Sequence, residues 1–138
     1  MDFMFMGNEG GARTLAMVVV KGRSTKAVMA CATPAKSSGE FLGKRVLAFM
    51  REWGCELEAV TVKTDNEPSL LQVVEMVARL RAAKGGIKMV VENSPVHSSK
   101  SNGLIERAVQ IVQGMVRTMR SALEEKWGGR IASWASRM

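Results

Sequence analysis

The sequence has no tyrosine, one histidine and two cysteines in 138 residues. His97 with Cys31 and Cys55 falls short of the four ligands of a structural zinc site. Two cysteines make no disulfide framework either, so both are expected to be buried and reduced, as in an intracellular protein. Long apolar runs are missing too. None approaches the ~20 residues that span a bilayer, and no charged-then-apolar leader opens the chain. Membrane and secreted classes are set aside on these grounds.

What is present fits one domain with a real core. The composition is 46% hydrophobic and 24% charged, which is globular and not disordered. Eleven methionines are expected as core filling, because the unbranched thioether adapts to irregular gaps. The net charge of +7 is unevenly spread. Residues 1–69 carry nine Lys/Arg against eight Asp/Glu, and residues 70–138 carry eleven against five. A basic second half suits a polyanionic partner such as nucleic acid, and equally a solvated basic face.

Along the chain, Met1 to Met6, Thr14 to Val20 and Lys26 to Thr33 read as strands, with turns at Asn8–Gly11 and Lys21–Ser24. Pro34 ends this antiparallel meander, and Ser37-Ser38-Gly39-Glu40 resembles a helix start. Apolar residues at 41, 42, 46, 49, 50 and 53 recur at helical spacing until Gly54. Ala59 to Lys63 is a fourth strand. Pro68 suits a first helical turn, and apolar positions 70, 73, 74, 77 and 80 carry that helix to Gly85-Gly86. Ile87 to Val91 is the fifth strand. A last helix, about Leu104 to Trp127, has an apolar stripe through Ile105, Ala108, Val109, Val112, Met115, Val116, Met119 and Leu123. The order β-β-β-α-β-α-β-α predicts an α/β domain with a mixed five-stranded sheet, antiparallel then parallel, flanked by helices.

Three acids stand at unusual places. Asp2 lies in an apolar strand, Asp65 at the end of a strand just before a helix, and Glu106 in the first turn of the last helix, with Asn102 as its cap. Singly, each has a plain reading: a solvated chain start, a helix cap, and an acid favoured by the helix dipole. Jointly, three carboxylates at one sheet edge suggest a divalent-metal site of hard oxygen ligands. Two such ions can activate an attacking oxygen and stabilise a leaving one at a phosphodiester. Glu106, Gln110, Gln113, Arg117 and Arg120 form a polar stripe on the last helix. It reads as a solvent face or as a track for DNA, with Lys100 and Arg107 adding phosphate contacts.

Thr64-Asp65-Asn66, followed by Ser94-Pro95 and then Ser101-Asn102-Gly103-Leu104-Ile105-Glu106-Arg107, resembles the catalytic core of retroviral and retrotransposon integrases, as found in retrotransposon Pol polyproteins. The resemblance implies a ribonuclease H-like fold over residues 1–127, truncated at the N-terminal edge of the first strand, with 128–138 as a tail. It implies a catalytic and metal-binding triad of Asp2, Asp65 and Glu106, two Mg²⁺ or Mn²⁺ ions, and DNA contacts from Lys100, Asn102, Arg107, Gln110, Gln113, Arg117 and Arg120. The activity implied is metal-dependent 3′-end processing and DNA strand transfer, with element ends and target DNA as partners. A homodimer or higher multimer and an intracellular location, nuclear at the step of integration, also follow from the resemblance. Two other readings share the same fold: an inactive integrase-like fragment that keeps nucleic-acid binding, and a ribonuclease H-type nuclease. The sequence departs from the family pattern in having Glu67-Pro68 after Asp-Asn, where glycine is usual, and Gln110 and Gln113 where lysine is frequent.

Overall fold

The computed structural model describes residues 1–6, 15–33, 39–93 and 99–131, and for 2–6, 15 and 99–102 it describes the backbone alone. The turn at 8–11, Pro34, the cap at 37–38, Ser94-Pro95, His97 and Trp134 lie outside the described residues. The elements are β1 (Asp2–Met6), β2 (Leu15–Lys21), β3 (Val28–Thr33), α1 (Gly39–Glu52), β4 (Thr61–Thr64), α2 (Pro68–Ala83), β5 (Val90–Asn93) and α3 (Ser99–Trp127). Their order is the one the sequence predicts.

The expected five-stranded sheet divides in two. β1, β2 and β3 form an antiparallel sheet in that order, and β4 with β5 forms a separate parallel pair. The register pairs Asp2 with Val19 and Lys21 with Val28 in the first sheet, and Lys63 with Glu92 in the second. The reason for the division is overlap. β1 starts level with the last residues of β4, where the Met1 amine donates to the Lys63 carbonyl at 3.0 Å. A sheet needs several consecutive bonds between neighbours, and the strands do not run alongside each other far enough to make them.

β3 begins two residues later than predicted because Gly22 and Ala27 close the preceding turn. Gly22 N–H donates to Ala27 O at 2.9 Å, and Lys26 within it takes a positive φ of 61°. β5 is displaced toward Asn93, since Val90 N–H donates to Val60 O at 3.0 Å and Ile87 N–H is already committed to Leu57 O at 2.9 Å.

α1 and α2 pack on one face of the structure. Leu42, Val46 and Met50 of α1 meet Leu70, Val73, Val74 and Val77 of α2, together with Val18 and Cys31 from the sheet. Burying each such side chain contributes ~1.5–3 kcal/mol. The helices approach closely at Gly43, where a Cβ would lie 2.5 Å from Met76 Cγ. The predicted stripe of α1 is corrected at its rim. Phe41 and Trp53 are about half exposed, Trp53 edge-on to Phe49 with ring centroids 6.5 Å apart, while Gly43 and Leu47 are buried instead. Cys31 is buried as expected, but Cys55 is only half-buried, and both are free thiols.

At the end of α2 the predicted apolar Leu80 is partly exposed, and its neighbour Arg81 is buried, with 1% of its surface accessible. Its guanidinium Nη2 donates to the Glu58 carbonyl, while Nε and Nη1 have no partner. Buried donors left unpaired cost free energy, so this cation is a liability to the fold. Arg81→Met, which keeps the stem and removes the charge, is expected to raise the urea midpoint or leave it unchanged. A loss of about 2 kcal/mol or more would show that the guanidinium is well compensated. Nearby, Glu56 accepts from Arg51 at 3.2 Å and from Lys84 at 2.6 Å, joining the ends of α1 and α2. These bonds, Arg51 first, hold the Glu56 carboxyl below its ordinary value. Their contribution is present above the unfolded carboxyl range and is lost as pH falls through the lowered value.

Glycine ends each helix as predicted. Gly54, Gly85 and Gly128 take φ near +70°, and the Gly86 and Gly129 amides reach back to Arg81 O and Glu124 O. α3 packs on the opposite side from α1 and α2, through Ala108 and Val112 against Val19 of β2. Its stripe is buried only in part. Ile105, Val109 and Val116 are partly covered, but Met115, Met119 and Leu123 are exposed. α3 also starts at Ser99, five residues before the predicted start. Ser, Lys and Asn are tolerated in a first turn, whereas apolar periodicity is visible only from Leu104 onward.

Candidate metal and nucleic-acid site

The earlier start of α3 changes two predicted roles. Asn102 lies within helical backbone and is not the cap, and Glu106 lies in the second turn, not the first. Glu106, Arg107, Gln110 and Arg117 are exposed, and Gln113 is half-buried. Arg120 differs from the others in the predicted stripe. Its Nε donates to Glu124 Oε1 at 2.9 Å, and its Nη2 reaches Ile131 O at 3.4 Å. That pair fastens the chain after Gly128 back onto α3, since Ile131 N–H donates to the same Glu124 oxygen at 3.0 Å. A phosphate at Arg120 would compete with this contact. Lys100 is placed in the first turn of α3 by its backbone.

Asp65 stands at the carboxyl end of β4 and is half-buried. Its Oδ1 accepts the Glu67 backbone N–H at 3.0 Å, closing a turn immediately before Pro68 opens α2. Asp65 is not the helix cap: α2 has Glu67 as its cap residue with no side-chain cap bond, and Asp65 closes the turn before it with one oxygen, a carboxylate having a second. Asp2 occupies the register position opposite Val19, which packs against α3. The Met1–Lys63 bond brings the start of β1 beside the end of β4, two residues before Asp65.

A cleft of about 880 Å³ opens at this junction. Met1, Lys63, Thr64, Asp65, Glu92, Leu104 and Ile105 are among its lining residues. Glu106 follows directly in the chain and is exposed. Glu92 is the residue that sequence reasoning missed. It pairs with Lys63 across β4 and β5, and the available signal was an acid directly after the apolar run that ends at Val91.

Among the described residues, no three His, Cys, Asp or Glu side chains cluster so as to hold a metal ion. Asp65 and Glu92 supply hard oxygen donors from two elements, which is the donor chemistry Mg²⁺ takes. Such ions are held through one or two carboxylates plus water and substrate phosphates, so these residues fit an open site completed by substrate and not a closed protein cage.

The fold is a mixed α/β arrangement, and no helix of the described residues is long and apolar enough to cross a membrane. No family model, curated protein or solved structure matches the chain.

Proposed function

We propose that the chain is an integrase-type catalytic core, a metal-dependent polynucleotidyl transferase that processes and joins DNA ends. Asp2, Asp65 and Glu106 are its triad, and two Mg²⁺ or Mn²⁺ ions are its cofactors. The observation that carries the reading is the Met1–Lys63 bond. It sets the start of β1 beside the end of β4, and a β3-β2-β1-β4-β5 order of the ribonuclease H-like kind is the reading this supports, with β1–β3 and β4–β5 standing as two separate sheets. It also brings the element bearing Asp2 to the strand end bearing Asp65. α3 contributes Glu106 from the helix that packs on β1 and β2.

With metals bound, the ions would supply the activation of the attacking oxygen and stabilisation of the leaving oxygen. The protein's own residues orient. Asp65 is fixed by its bond to the Glu67 amide, and Gln110, Gln113 and Arg117 extend from Glu106 along a face suited to a DNA backbone. Arg107 lies beside Glu106 and serves as a phosphate contact. Incubation with labelled duplex DNA in Mg²⁺ or Mn²⁺ is expected to give nicked and joined products that vanish in EDTA. Products formed equally well in EDTA would reject the proposal.

One observation favours a second reading, a fold that binds DNA without catalysis. Asp65 already has a structural task at the Glu67 amide. On that reading, DNA binding is salt-sensitive and Mg²⁺ titration produces no change in the protein. Cleavage of an RNA–DNA hybrid without strand transfer would instead indicate a ribonuclease H-type nuclease.

A further inference from the structure

β5 is exposed along its whole length. Val90, Val91, Glu92 and Asn93 are all open to solvent, Val90 with 55% of its surface accessible. Ile87 and Leu57, joined by a backbone bond just before the strand, are exposed as well. A strand in a parallel pair ordinarily has both faces covered. Among the described residues β5 pairs with β4 alone. Val90 N–H is committed to Val60 O. Successive residues of a strand turn their backbone groups to opposite sides. Val90 and Glu92 therefore bond toward β4, while Val91, with Met89 before it, turns N–H and C=O to the open edge.

The charges on this edge are placed symmetrically. Strand alternation puts Lys88, Val90 and Glu92 on one face, with a lysine and a glutamate two residues either side of the valine. Both charged residues are exposed, and neither has an ion-pair partner among the described residues. Consider a second strand of the same sequence laid antiparallel along the edge, Val90 opposite Val90. Lys88 of each copy then stands opposite Glu92 of the other. Met89 and Val91, whose backbone groups point outward, face each other and exchange bonds. Val90 with Val90, and Lys88 with Glu92, fall at the positions where side chains come closest. Centring the pair on Val91 instead sets Glu92 against Val90, and centring it on Glu92 sets two carboxylates together, which is destabilising. Charges on an edge ordinarily keep foreign strands away. This row admits its own copy, because opposite signs flank a two-fold centre.

We propose that β5 is an interface between two copies of this chain, joined antiparallel through Val90 into a four-stranded sheet of order β4-β5-β5-β4. Glu92 then lies between Lys63, its register partner on β4, and the partner's Lys88. The contact is independent of the catalytic reading. The strand has four residues, so the interface is below standard size and the dissociation constant is expected on the order of 100 μM.

The test uses the full chain. Sedimentation velocity is expected to show a reversible dimer as concentration rises toward the millimolar range. Glu92→Lys and Lys88→Glu each turn two attractive pairs into two repulsive ones, and each alone is expected to weaken association by about tenfold or more. An equimolar mixture of the two variants restores opposite charges at both positions and is expected to associate at least as well as the parent chain. Melting curves establish that both variants are folded. In the unsubstituted chain, exchange of the Val91 amide is expected to slow as concentration rises, while that of Val90, already bonded to Val60, stays the same. A chain that remains monomeric at millimolar concentration, a dimer indifferent to both substitutions, or folded variants that fail to associate on mixing would overturn the proposal. A dimer abolished by Met115→Lys with Met119→Lys and untouched at Val91 would place the contact on α3 and overturn it equally.

Discussion

Asp65→Asn and Glu106→Gln are each expected to reduce metal-dependent nicking and strand transfer to background while leaving the melting temperature unchanged. Both replacements keep shape and remove the charge that would hold a cation. Asparagine at 65 still offers an oxygen to the Glu67 amide, so the turn before α2 survives. Asp65→Ala loses that acceptor as well and is expected to cost about 1 kcal/mol, the usual net value of a hydrogen bond. The pair of substitutions at one position thus separates the structural task of Asp65 from the catalytic one. DNA affinity is expected to persist in all three variants, since the exposed Arg107 and Arg117 are untouched. Replacing either arginine by alanine should lower the salt dependence of binding by about one counterion. Turnover that survives both Asp65→Asn and Glu106→Gln would exclude the proposed triad.

Gly43→Leu is expected to be the most damaging single change in the core. A Cβ at this position would lie 2.5 Å from Met76 Cγ, 2.9 Å from Met76 Cβ and 3.6 Å from the Val77 amide. The α1–α2 contact has no room for a branched side chain, so the helices must separate, and overpacking of this kind costs ~1–3 kcal/mol or more. Gly43→Ala is milder. The gain of roughly 1 kcal/mol in helix propensity opposes a clash with Cγ and Cβ, the near end of the Met76 side chain. Met76→Ala is expected to recover part of the loss caused by Gly43→Leu, because it removes Cγ, the atom at 2.5 Å, while Cβ at 2.9 Å stays. Denaturation midpoints of the single and double variants measure that coupling. A double variant as unstable as the sum of its parts would show that the close approach at Gly43 is not where the strain falls.

The sequence was informative where local chemistry decides. The order of eight elements, the glycine helix stops and Pro68 at the head of α2 follow from periodicity and backbone preference, which need no knowledge of neighbours. It was silent where a long-range contact decides. Arg81 is buried and Leu80 is not because the last turn of α2 faces the loop at Glu58, which no helical pattern encodes. The division of the sheet depends on how far β1 and β4 run side by side, a matter of register and not of propensity. At the candidate site, Asp65 was legible from its place at a strand end. Glu92 and the lysines around the cleft were not, because only the pairing of β4 with β5 and the pleat of β2 bring them there.

α3 has one end on the sheet and one end in solvent. Its packed residues, Ala108 and Val112, lie near Glu106, while Met119, Leu123 and Trp127 are exposed. From Glu106 to Leu123 the helix runs roughly 25 Å at 1.5 Å per residue. The same helix thus joins two unlike surroundings: the turns next to Glu106 are held against β2, while the apolar residues roughly 25 Å further on meet no part of that sheet contact.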